Sequence, residues 1–115
     1  MHAGLPFLES TLAIMRRYPH VYADLSKISD SSAYPRGEFH DYLRALMRAH
    51  LGERLMFGSD AAGSGALTAG IEGIASATFL TRSQRRDILC DNAARFYRLD
   101  AKAKPPGYSA SRTDR

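Results

Sequence analysis

A parallel α/β fold is what this sequence predicts, and three observations carry the prediction. An apolar run, Leu55-Met56-Phe57, stops abruptly at Gly58-Ser59-Asp60. A second short, β-rich run, Val21-Tyr22-Ala23-Asp24-Leu25, starts about thirty residues upstream, the length of a βαβ unit with its right-handed crossover. Helical periodicity fills the stretch between them. A strand that breaks off at Gly-Ser-Asp sets a carboxylate at its C-terminal mouth, where parallel α/β proteins keep their chemistry.

The elements follow in order. Pro6 suits a first helical turn, and Leu8, Leu12 and Met15 recur at i, i+4 and i+7, so a helix begins there and Pro19 ends it. Val21, Ala23 and Leu25 share one face of the first strand. Residues 26–36, with four serines and a proline, read as a loop. A helix from about Gly37 to His50 puts Phe39, Leu43, Leu46, Met47 and His50 on one face, and Gly52 fits its C-cap. After the second strand comes a small-residue loop, Ala61 to Gly65, then a helix marked by Leu67, Ile71, Ile74 and Thr78 and weakened by Gly70 and Gly73. Thr81-Arg82-Ser83-Gln84 has capping-box spacing, and Asp91 or Asn92 is placed to cap a terminal turn.

Composition narrows the function classes. With 115 residues, 44% of them hydrophobic, the chain can bury one modest core. No run approaches the roughly 18 apolar residues of a membrane span, and no signal peptide is evident, so a cytoplasmic protein with no membrane partner is expected. The single Cys90 agrees with a reducing compartment and reads as a small buried apolar residue. Of the net charge of +4, three units lie in residues 101–115, a segment with Pro-Pro-Gly and no apolar periodicity. A disordered basic tail over 100–115 is therefore expected, and nucleic acid is not expected as a partner.

Four stretches, taken in order, resemble the amidohydrolase-related family of the metal-dependent hydrolase superfamily. They are His2-Ala3-Gly4-Leu5-Pro6, Val21 to Ser26, Leu55 to Asp60, and Phe79 to Leu89 with Asn92 to Leu99. The resemblance covers residues 1–99 and implies the C-terminal part of a TIM-type (β/α)8 barrel, roughly strands six to eight with their helices. It implies a metal-dependent hydrolase that hydrolyses or decarboxylates a small carboxylic or amide substrate. Asp60 matches the eighth-strand aspartate, which in the family binds the divalent metal, zinc most often, and can handle the proton of the attacking water. His2 matches the sixth-strand histidine, an acid or base toward substrate.

The family's remaining ligands, a His-x-His or Glu-x-His pair and a fifth-strand histidine, have no counterpart here. His20, His40 and His50 do not replace them. A whole barrel takes about 250 residues, so a truncated chain, inactive by itself, is expected. Strand edges and apolar side chains left open by such a cut favour a homo-oligomer. The family's bulky pair after the eighth-strand aspartate is replaced by Ala61-Ala62-Gly63-Ser64-Gly65, which leaves the substrate class open.

Without the resemblance, Asp60 reads as a turn or capping residue and His2 as a solvated end residue. His40 and His50 read as packing or surface residues, and Asp24 carries no assignment. Gly58 to Gly63 has the outer spacing of a phosphate loop, but Ser64 and Gly65 stand where Lys and Ser or Thr belong. The alternative function is a non-catalytic α/β module that binds a small anion or a protein partner.

Overall fold

A computed structural model describes residues 2–99, and the expected tail lies outside the described residues. Two strands, β1 (Ala23–Asp24) and β2 (Leu55–Met56), pair in parallel with Ala23 opposite Leu55 and Asp24 opposite Met56. The ladder runs on through the Leu25 N–H, which donates to the Met56 carbonyl at 2.9 Å. Around the strands lie α1 (Leu8–Arg17), α2 (Arg36–Arg48), α3 (Ser64–Ala75), α4 (Arg82–Arg86), a π-helical turn (Asp87–Asp91) and α5 (Asn92–Phe96). The α/β class and the parallel pairing are as expected. None of the helices among the described residues is long and apolar enough to cross a membrane.

The strands are shorter than the sequence suggests because their flanks are claimed by other partners. The Arg54 guanidinium donates to the Val21 carbonyl at 3.0 Å and the Tyr18 carbonyl at 3.1 Å. On β2, the groups that do not face β1 are taken by the C-terminal helices: the Phe57 N–H donates to the Ile88 carbonyl at 2.8 Å, and the Asn92 amide donates to the Leu55 carbonyl at 2.8 Å and the Gly52 carbonyl at 2.7 Å. That edge of β2 is therefore covered by a helical segment, contrary to the expected open edge. Asn92 is fully buried and caps nothing. Its place as a helix cap is corrected to that of a clamp on β2.

The core is built from the expected faces of α1 and α2. Leu12 and Met15 from α1, Phe39, Leu43 and Leu46 from α2, and Ala23, Leu25 and Leu55 from the strands are buried together. Helix α1 begins at Leu8, so Pro6 sits just outside it. Helix α2 ends at Arg48 with Ala49 as C-cap, and Gly52 opens a short 3-10 turn (Gly52–Arg54). His50 takes the left-handed position at φ 60°. The His50 N–H donates to Met47 and the Leu51 N–H donates to Leu46, which is a Schellman closure with the buried Leu51 packed over its end. Leu46 and Leu51 decide where the chain turns, and a histidine tolerates the turn.

Helix α3 departs from its expected face. Leu67 and Ile71 are each 40% exposed, and the buried side is Gly70, Gly73 and Ile74. The two glycines allow α3 to press against the loop after β1: a Cβ on Gly73 would lie 2.1 Å from the Ser29 carbonyl oxygen. The His40 ring bonds the Gly73 carbonyl at 2.8 Å, and Arg36 donates to Ser76 and Ala69, so α2 holds α3 through polar contacts. Thr81 and Gln84 form the expected capping box of α4, at 3.1 and 2.8 Å. Cys90 is exposed, a correction to its expected burial, because the π-helical turn rotates Ile88 inward instead.

Gly73→Ala is expected to cost about 1–3 kcal/mol, the scale of overpacking. Gly65→Ala in the same helix, with open space around it, is expected to gain up to about 1 kcal/mol. Urea denaturation of the two variants checks the pair. A harmless Gly73→Ala would contradict the close approach of α3.

Candidate functional site

Both strands end at one side of the sheet, and a cleft of about 340 Å³ opens there, lined by Asp24, Ser26, Met56, Phe57, Gly58, Asp60, Ala93 and Tyr97. The parallel register makes this arrangement. Asp24 closes β1 beside Met56, and the chain leaving β2 passes Gly58 and turns at Asp60. Gly58 is needed for close approach: a Cβ there would stand 3.2 Å from the Ser26 Cβ and 3.4 Å from Asp24 Oδ1.

His2 lies outside this lining and approaches it at Asp60 from a separate segment. Residues His2, Ala3 and Gly4 all lie at positive φ, at 52°, 46° and 72°, forming a left-handed turn. The turn is anchored from beneath. Ala3 is buried, and the Tyr42 hydroxyl of α2 donates to its carbonyl at 2.7 Å. Asp60 also has positive φ, 44°, a conformation that Asp and Asn tolerate better than most residues. The two sequence-predicted site residues are thus brought together, with His2 Nε2 3.9 Å from Asp60 Oδ2. Both are open to solvent, with side chains 35% and 55% exposed.

The other face of the imidazole is fixed. His2 Nδ1 lies 2.9 Å from the Ser26 carbonyl oxygen and 2.9 Å from Ser26 Oγ. The Ser26 hydroxyl donates to Asp24 Oδ1, which also accepts the Ser26 N–H at 3.0 Å. Its proton is spent there, so both Ser26 oxygens offer lone pairs, and Nδ1 is the donor. In the neutral ring Nε2 then carries the lone pair, on the side of Asp60. Asp24 and Ser26 were not assigned from the sequence. The available signal was their place at the C-terminal end of a strand in a parallel fold.

Hydrogen bonding also sets the carboxylates. Burial pushes the Asp24 carboxyl up, but the bonds from the Ser26 hydroxyl and N–H, joined by the N-terminal charge and the His2 backbone N–H, hold it below the ordinary range. Asp30, outside the site, is held low by the Ser32 hydroxyl at 2.7 Å and N–H at 2.9 Å. His40 and His50 stand away from the cleft, as packing and surface residues respectively.

A family model described as amidohydrolase matches residues 1–99. The chain belongs to the amidohydrolase family. This family has a TIM-barrel fold and generally uses divalent metals. Neither a curated protein nor a solved structure matches the chain. Among the described residues of this amidohydrolase chain, no group of three or more His, Cys, Asp or Glu side chains is placed to hold a metal ion. His2 and Asp60 make two donors, one short of the three protein ligands of a catalytic zinc centre. By themselves the described residues do not fit the family's metal.

The lowered carboxyls fix a pH dependence. A depressed folded value stabilises the fold above the unfolded value, and that contribution is lost as pH falls through the folded one. The melting temperature is expected to stay level from pH 7 to 5 as far as these two groups govern it, and to fall below about pH 4. Ser32→Ala is expected to flatten the fall. A variant that keeps the full acid slope in thermal melts would contradict the assignment to Asp30.

Proposed function

We propose that this amidohydrolase chain supplies the acid/base imidazole and one carboxylate of a hydrolytic centre, the C-terminal portion of a barrel in which β1 and β2 are the seventh and eighth strands. The observation that carries the reading is His2 Nε2 facing Asp60 at 3.9 Å across the strand ends, with Nδ1 tied back to Ser26. An imidazole held this way accepts a proton at Nε2 from an attacking water and returns it to the leaving group. The Asp60 carboxylate beside it accepts a hydrogen bond from the water's other O–H and so orients it.

Asp60 is the metal ligand of this reading, and the metal, zinc by preference, binds only when donors from beyond the described residues join it. The chain alone is then a hydrolase portion without turnover. The cleft favours hydrolysis of a small neutral amide over decarboxylation of an acid, because Asp24 and Asp60 line it and, among the described residues, no Lys or Arg does. The same lining disfavours the alternative of an anion-binding module. Self-association through apolar side chains left exposed, among them Phe7 at 68% and Leu99 at 64%, belongs to the same reading.

The test is Asp60→Asn in a polypeptide that carries this segment together with a His-x-His pair. Turnover of a panel of small N-acyl amides and unsaturated carboxylic acids is measured with zinc in excess, beside the thermal melt. Loss of about a hundredfold or more is expected, because Asn keeps the shape but not the charge that holds the metal and orients the water, with little change in melting temperature. A near-normal rate with a lowered melt would overturn the reading and leave Asp60 a turn residue.

A further inference from the structure

We infer that Asp24 and Ser26 are positioning residues that hold the His2 ring in the Nδ1–H form, so that Nε2 stays free toward Asp60. This deepens the hydrolytic reading of the same site, on which its relevance to turnover rests. The Ser26 carbonyl oxygen alone tolerates only a donor at Nδ1. The hydroxyl is ambivalent, since a free serine O–H 2.9 Å from Nδ1 can either accept from it or donate to its lone pair. Donation would force the proton to Nε2 and close off the atom that faces Asp60. Asp24 removes that choice. Its Oδ1 accepts both the Ser26 hydroxyl and the Ser26 N–H, and an ionised carboxylate has no proton to give back. Every oxygen presented to Nδ1 is therefore an acceptor.

The surrounding packing maintains the chain of bonds. Ser26 is buried at 6% exposure, and Gly58 leaves just enough room beside it and Asp24. The left-handed turn at His2, held by Tyr42, sets the ring against Ser26. This is the arrangement by which an outer carboxylate orients an imidazole, with an intervening hydroxyl as the relay.

Nitrogen-15 NMR of the imidazole in the 115-residue chain, at a pH where the ring is neutral, reads the tautomer directly and needs neither metal nor substrate. Wild type is expected to show the Nδ1–H form. Asp24→Ala is expected to shift His2 toward a mixture with Nε2–H, and Asp24→Asn, which keeps an acceptor oxygen, to retain most of the Nδ1–H form. Should Asp24→Ala fail to fold, Asp24→Leu replaces it with the same shift expected, while Ser26→Ala, which leaves only the carbonyl oxygen at Nδ1, is expected to keep the Nδ1–H form. In a polypeptide with the complete site, Asp24→Ala is expected to lower kcat by about 10–100-fold with KM nearly unchanged. An unaltered Nδ1–H signature in Asp24→Ala, or in Asp24→Leu where that variant is the one that folds, would overturn the inference. A normal rate in Asp60→Asn with the tautomer shift still present would sink the hydrolytic reading alone.

Discussion

Everything in this chain that bears on function depends on two strands of two residues each staying in one parallel register. Such a pair is too short to hold itself. The pair persists because both sides of β2 are satisfied: Met56 receives the Leu25 N–H from β1, while the Leu55 carbonyl and the Phe57 N–H are taken by Asn92 and Ile88 from the C-terminal helices. The π-helical turn at Asp87–Asp91 is part of that arrangement, since it brings the Ile88 carbonyl to Phe57 in the middle of a helical segment. Asn92 answers an accounting problem, because a buried carbonyl without a donor costs about 1–3 kcal/mol.

The site inherits this register. Because the strands run parallel, Asp24 and Asp60 open into one cleft, and the polar residues collect at a single mouth. Strain collects there too, in His2, Ala3 and Asp60, each with a side chain and a positive φ. Such residues cost about 1–3 kcal/mol apiece and persist only where the surroundings over-determine them. Tyr42 anchoring the Ala3 carbonyl and Ser26 holding the His2 ring are the surroundings in question. Structure and chemistry thus meet in the same bonds: the contacts that offset the strain also aim the imidazole.

Much of this was legible in the sequence, and the rest was hidden for identifiable reasons. Apolar periodicity located α1 and α2, and the β-rich runs located both strands, because burial imposes those periods. Asp60 and His2 were legible through family resemblance, and Asp60 also through its place after a strand. Four features were not legible. The buried face of α3 is Gly70, Gly73 and Ile74, and because two of its three residues are glycines with no hydropathy signal, Leu67 and Ile71 stood in for them. Asn92 looked like a cap because a short polar side chain serves caps and long-range clamps equally well. His50 replaced the expected glycine at the end of α2, since the Leu46 and Leu51 contact selects the turn. The relay through Ser26 depends on the three-dimensional approach of residue 2 to residue 26, and no local pattern records it.

Amide hydrogen exchange at Leu25 and Phe57 tests the central claim most directly. Each N–H sits on an opposite side of the β1–β2 register, bonded to Met56 and to Ile88. If the register is the structural base of the site, both amides should be protected to the level of global unfolding and should lose that protection together when Asn92 is replaced by Leu. Exchange at either position as fast as in the exposed loop around Gly63 would contradict the account.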